Sequence, residues 1–214
     1  MTGRRLVLLR HGQTSWNRAG RAQGHTDIEL DDVGHAQASA TASYLSALEP
    51  AALWSSDLTR ARQTCAYLEK ETGLTATYDD RLREFHMGGR EGMTLPEFAE
   101  AFPEEYVGWL RGDGLVRVSG AEAAASVRDR ILPALLECLE GLAPGQTGVV
   151  VTHGGSLKVG LVGLLGWPDE QAASLRGLDN CGWAVVDELE DGGRLRLEAY
   201  NQRVAHGGDG ARDL

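Results

Sequence analysis

The chain has 214 residues, 42% of them hydrophobic, with a formal charge of −10 and a pI near 5.1. That is enough apolar material for one sizeable core, or for a core with a small subdomain. So acidic a surface argues against nucleic-acid or anionic-membrane partners, which need basic patches, but a pocket still sets its own local field for a small anionic substrate.

No apolar run reaches the roughly 18 residues of a membrane span. Leu6-Val7-Leu8-Leu9 is too short for a signal sequence, and Arg10 ends it. Cys65, Cys138 and Cys181 are far apart and odd in number, which fits reduced thiols in the cytoplasm better than a disulfide framework.

Arg5 to Leu9 reads as a buried strand, followed by a polar stretch to about Asp31. Val33, Ala36, Ala40, Tyr44 and Leu48 then recur at helical spacing, which predicts an amphipathic helix with those residues inward and Pro50 closing it. "AALWSS" predicts a short strand, and Leu58, Ala61, Cys65 and Leu68 mark a second helix, started by Ser56 or Asp57 and stopped by Gly73. "TATY" reads as a further strand. Residues 81–120 are irregular, with short helical pieces around Pro96 to Phe102 and Glu104 to Leu110. A long helix is predicted from near Ala121 to Leu142, then the strand "TGVVVT", the helix "SLKVGLVGLLG", and two strands, "CGWAVVDEL" and "RLRLEAY", around an "EDGG" turn. The tail beyond Val204 is rich in glycine and charge and is expected to be disordered. This alternation predicts a three-layer α/β/α sandwich with a mostly parallel sheet, formed by residues 1–204 as one domain. The segment 81–120 is an inserted helical subdomain, of the kind that often forms a lid or pocket wall.

Ligands of open α/β sheets bind beyond the carboxyl ends of the strands, and two strands end alike here, in Arg10-His11-Gly12 and His153-Gly154-Gly155. One histidine at a strand end is ordinarily a satisfied turn residue; two at equivalent ends, each followed by glycine, point to a shared site. Arg60 falls in the first turn of its helix, where the helix dipole disfavours a cation unless an anion is bound there. Alone, it would be an ordinary surface arginine paired with Asp57 or Glu84. "RLREFHMGGREG" offers Glu84 and Glu91 as proton donors, and spacing alone does not choose between them. The six histidines show no metal-ligand spacing and the chain has no GxxxxGK[ST] loop and no GxSxG elbow, so no metal and no cofactor are expected. Histidines, arginines and an acid at one sheet edge suggest phosphoryl chemistry, with histidine as nucleophile and arginine matching phosphate oxygens.

Together, "LLRHGQT", "SSDLTRARQT", "LRE", "GREG" and "VVVTHGG" resemble the histidine phosphatase (phosphoglycerate mutase-like) superfamily over nearly the whole chain. The resemblance implies His11 as the nucleophile that takes up the phosphoryl group, Arg10, Arg60 and His153 as the phosphate clamp, and Glu84 as the general acid. It also implies Glu91 as a structural residue, Asn17 as a residue reaching the phosphate, Gln23 and Gly24 near the substrate mouth, and the backbones of Gly12 and Gly154 close to the phosphate. Two positions depart from the common pattern: Glu29 stands where proline is usual, and Arg90 where tryptophan is usual. Arg90 and His86 thereby bear on specificity and not on the clamp.

The family's mutases carry "ERHYG" at the acid and a longer basic insertion, whereas this chain has "REFHMGG" and is short. It therefore resembles the phosphatase branch, acting on a small phosphorylated metabolite such as a sugar phosphate or a phosphoglycerate derivative. "LREFHMGGREG", "LDNCGWAVV" and "LEAYNQRVA" are similar to the glucosyl-3-phosphoglycerate phosphatases, which are cofactor-independent homodimers. A cofactor-dependent phosphoglycerate mutase is the alternative within the family. A non-catalytic binding domain on the same fold is the alternative outside it, although such a domain is expected to have lost the nucleophile or the acid.

Overall fold

The computed structural model describes residues 3–110, 118–189 and 193–204. A six-stranded sheet runs in the order β3-β2-β4-β1-β5-β6, from β1 (Arg5–Arg10), β2 (Ala52–Ser55), β3 (Thr77–Tyr78), β4 (Thr147–Thr152), β5 (Trp183–Glu188) and β6 (Leu195–Gln202). β1 is parallel to β4, and β2 is parallel to both β4 and β3; β5 is antiparallel to β1 and to β6. Only β5 runs against the rest, so the expected mostly parallel sheet is present.

Seven α-helices complete the described chain: α1 (Ser15–Arg18), α2 (Asp32–Ser46), α3 (Thr59–Thr72), α4 (Leu95–Ala101), α5 (Pro103–Leu110), α6 (Ala124–Glu140) and α7 (Gly154–Leu164). Pleating sends alternate residues of β1 to opposite faces. Leu6 and Leu8 pack with Val127, Ile131 and Leu135 of α6 and Leu157 and Leu161 of α7. Val7 and Leu9 pack with Ala42 and Leu45 of α2 and Ala61, Cys65 and Leu68 of α3. Each face of the sheet thus buries the apolar stripe of one helix pair, which makes the three layers. α4 and α5 belong to the insertion, whose base is tied by a bridge between Met87 and Ala121.

Two local expectations need correction. The inward face of α2 is Gly34, Ala38, Thr41, Ala42 and Leu45, whereas Val33 and Tyr44 are 48% and 56% exposed. The cause is close approach: a Cβ on Gly34 would lie 2.0 Å from the Gln13 carbonyl oxygen. The helix therefore presents small residues inward, and size was the wrong guide. α3 begins one or two residues later than expected, with Leu58 as its N-cap and no capping side chain of its own. Asp27, from the preceding loop, does that work, accepting from the Thr59 N–H at 2.7 Å and the Thr59 hydroxyl at 2.6 Å. The C-terminus of α3 is as expected, with Gly73 in the left-handed region at φ 73°.

Residues 190–192 of the expected "EDGG" turn and the expected disordered tail, 205–214, lie outside the described residues. Among the described residues no helix is long and apolar enough to cross a membrane, and no group of three or more His, Cys, Asp or Glu side chains could hold a metal ion.

Candidate active site

Strand register builds the site. Arg10 is aligned with Thr152 across the β1–β4 pair, and the next residue of each strand is a histidine. His11 extends the ladder by one bond, its N–H donating to the Thr152 carbonyl at 3.0 Å. The two imidazoles consequently lie side by side, ring centroids 5.1 Å apart, and both are buried.

His11 Nδ1 lies 2.7 Å from the Gly12 carbonyl oxygen. A carbonyl only accepts, so Nδ1 carries the proton and the lone pair sits on Nε2. Burial pushes the His11 and His153 imidazoles well below the ordinary histidine value, and the cations of Arg60 and Arg10 act in the same direction. His11 is thus held as a neutral base of defined tautomer. His153 caps α7, and its Nε2 is 2.8 Å from the Ser56 hydroxyl.

Arg60 is fully buried. Its Nη1 donates to the Thr26 carbonyl at 3.0 Å and its Nη2 to the Gly24 carbonyl at 2.7 Å. Burial lowers its pKa to about 10. The alternative pairing partners are otherwise engaged: Asp57 binds Arg83 at 2.7 Å, and Glu84 binds main chain. Arg10 donates to the Leu178 carbonyl, and its Nε lies 3.3 Å from where a Cβ on Gly154 would stand. Arg10 Nε, Arg60 Nε and His153 Nδ1 are buried without a hydrogen-bond partner. Such groups are costly unless a ligand meets them.

Glu84 faces this cluster from the insertion. Its carboxyl oxygens accept from the N–H groups of Phe85 at 2.9 Å, Gly155 at 2.9 Å and Ser156 at 2.8 Å, so it sits on the N-terminus of α7. Glu91 is set apart. It accepts from the His25 N–H at 3.0 Å, the Met87 N–H at 3.1 Å and the Thr26 hydroxyl at 2.6 Å. Burial raises its pKa, but these hydrogen bonds outweigh that and lower it overall. Glu91 ties the mouth loop to the insertion.

Asn17 Oδ1 accepts from the Thr14 N–H at 3.1 Å and from Asn180 Nδ2 at 3.1 Å. The backbone donor fixes the amide orientation and leaves Nδ2 as the end able to donate elsewhere. Gln23 is buried, and its Oε1 has no partner. Gly24 adopts φ 56°, and a Cβ there would lie 2.2 Å from Glu91 Oε1, so glycine is needed twice over. Gly12 gives its N–H to Thr64 Oγ1 at 3.0 Å, and a Cβ on it would lie 2.6 Å from the Gly34 carbonyl oxygen; its bare side faces α2. Arg90 does not project into the histidine cluster. Its guanidinium stacks on Phe98 at 4.5 Å and on Trp109 at 5.5 Å. His86 lies against His25, ring centroids 5.1 Å apart.

Sequence reasoning missed Asn180, which grips both the His11 carbonyl at 3.2 Å and Asn17, and His25, whose Nε2 meets the Glu84 carbonyl at 2.7 Å. It considered Ser56 only as a helix cap. Each acts through a contact distant in sequence, which periodicity does not display.

Residues 6–202 match the sequence model of the histidine phosphatase superfamily (branch 1), and the chain belongs to that superfamily. A glucosyl-3-phosphoglycerate phosphatase of Mycolicibacterium vanbaalenii is 39% identical over 87% of this chain and 85% of its own length. A protein of Salmonella paratyphi C named as a probable phosphoglycerate mutase is 34% identical over 86% of this chain and 85% of its own. Among solved structures, the mycobacterial glucosyl-3-phosphoglycerate phosphatase in complex with VO3 superposes with a TM-score of 0.85 at 34% identity, covering 92% of this chain and 99% of that one.

Proposed function

We propose that the chain is a phosphatase of small phosphorylated metabolites that needs no metal and works through a phosphohistidine on His11. The observation that carries this reading is a set of unpartnered buried nitrogens, Arg10 Nε, Arg60 Nε and His153 Nδ1, together with a neutral imidazole whose Nε2 holds the lone pair. That arrangement suits a tetrahedral dianion placed for attack.

In the first half-reaction His11 Nε2 attacks phosphorus, the bond from phosphorus to the ester oxygen breaks, and Glu84 gives its proton to the departing oxygen. Arg10, Arg60 and His153 hold the charge on the other three oxygens, and Asn17 Nδ2 adds a donor. In the second half-reaction water attacks the phosphohistidine, Glu84 takes the water's proton, and phosphate leaves His11 as it began. Gln23 and the loop of Gly24 line the entrance, and the Gly154 backbone lies on the phosphate side of Arg10.

The phosphatase relatives support hydrolysis over transfer between substrates, and glucosyl-3-phosphoglycerate is the first substrate to try. We further propose a homodimer in the cytoplasm, formed around one domain spanning 1–204. Three buried free cysteines suit a reducing compartment, and among the described residues β6 is an edge strand of the sheet. A screen of phosphorylated metabolites for phosphate release, with light scattering for oligomeric state, tests these points. Interconversion of 2- and 3-phosphoglycerate faster than phosphate release would overturn the phosphatase reading.

A further inference from the structure

The Glu84 loop is gripped by a residue that the reaction itself does not use. Arg130 of α6 has five N–H donors, and all five are taken. Nε donates to Glu122 Oε1 at 3.0 Å, Nη1 to the carbonyls of Arg81 at 2.9 Å and Arg83 at 2.7 Å, and Nη2 to the Glu84 carbonyl and Glu122 Oε2, both at 2.8 Å. Glu122, two residues before α6, also accepts the His86 N–H at 2.8 Å. His25 Nε2 reaches the same Glu84 carbonyl from the other side at 2.7 Å.

Three carbonyls within four residues of chain therefore point their negative ends at one spot. Such convergence is unfavourable unless a cation stands there, and the planar guanidinium fits only one mutual spacing of its acceptors. Glu122 seats that plane and cancels its charge, so the brace adds little to the field on the bound anion. The outcome is a fixed height of the Glu84 backbone above the α7 N-terminus. Proton transfer to a leaving oxygen is sensitive to that height, because an ångström of misplacement is costly.

We infer that Arg130, seated by Glu122, is the positioning residue for proton delivery by Glu84 and sets how well the enzyme handles leaving groups that need a proton. The inference rests on the reading of Glu84 as the general acid.

The test is kcat/KM, which covers substrate binding and phosphoryl transfer to His11 but not the later hydrolysis, measured for p-nitrophenyl phosphate, phenyl phosphate and glycerol phosphate in the full chain. Nitrophenolate leaves without a proton; the glycerol alkoxide does not. Arg130→Met is expected to lose about 10- to 100-fold on glycerol phosphate and under about 3-fold on p-nitrophenyl phosphate. Arg130→Lys, which keeps the charge with three donors for five acceptors, decides the matter if the methionine variant does not fold, and is expected to show the same skew at smaller size. An equal loss on all three substrates, or none, overturns the inference. Glu84→Gln separates the two layers. It must show the skew itself; if it does not, the general-acid reading fails and takes the inference with it, whereas skew in Glu84→Gln without skew in the Arg130 variants overturns the positioning role alone.

Discussion

The two halves of the site are held by different means. His11 and His153 extend adjacent strands, and main-chain ladder bonds fix them. Glu84 hangs on an irregular loop whose position depends on side chains: Arg130 on three carbonyls, Arg81 between Asp79 and Glu137, and Arg83 on Asp57. The ladder half is indifferent to most single substitutions away from its own residues, because main chain makes the bonds. The loop half is adjustable, because each brace is one side chain. The proposed nucleophile thus sits on the rigid part, and the proposed general acid sits on the tunable part.

The largest expected effect breaks the ladder half at its chemistry. His11→Ala should lose on the order of 10⁴-fold or more in kcat with p-nitrophenyl phosphate, and no acid-labile phosphoenzyme should be trapped by rapid quench. Next comes Arg60→Met, which removes a clamp cation and leaves the Gly24 and Thr26 carbonyls unpaired. We expect about a 10²- to 10³-fold loss in kcat/KM together with a lower urea midpoint, a joint effect that marks a residue shared by chemistry and fold.

Gly155→Ala probes the loop half. The added Cβ would stand 2.7 Å from Glu84 Oε1, so the carboxylate must shift while the histidines stay put. We expect about a 10-fold loss on glycerol phosphate with little change in stability by thermal melting.

The smallest effect concerns pH. His11 and His153 are neutral in the folded chain well below the ordinary value of about 6.5 that they have when unfolded. The unfolded chain therefore binds more protons as the medium turns acid. Their contribution is present in full above about pH 6.5 and is lost as pH falls from there through their folded values. Urea midpoints of a His11→Asn, His153→Asn variant should fall less between about pH 7 and 5.5 than those of the parent.

Much of this was legible in the chain. Apolar runs ending in Arg10-His11 and His153 marked the strand ends, and the misplaced cation Arg60 marked the proposed anion site, because short-range pattern and helix electrostatics are written locally. The choice of Glu84 over Glu91 was not. It depends on which carboxylate meets the N-terminus of α7, some seventy residues on, and in the sequence only the resemblance separated the two. The α2 face was misread because Gly34, Ala38 and Ala42 pack by closeness, which a search for large apolar residues overlooks. Arg130 resembled any helical surface arginine, since three of its five acceptors are main-chain carbonyls, which carry no side-chain signature.

The single ladder bond from the His11 N–H to the Thr152 carbonyl has a consequence for how the molecule fails. The reacting imidazole is one residue past the central strand pair, so it cannot disengage without opening the middle of the sheet. Amide exchange at His11 should accordingly proceed only by global opening, at the rate of the slowest core amides, while the amides of the 84–92 loop exchange by local fraying. Heated or in denaturant, the protein would lose its acid before its nucleophile, and pass through a state still able to take up a phosphoryl group from an activated aryl ester.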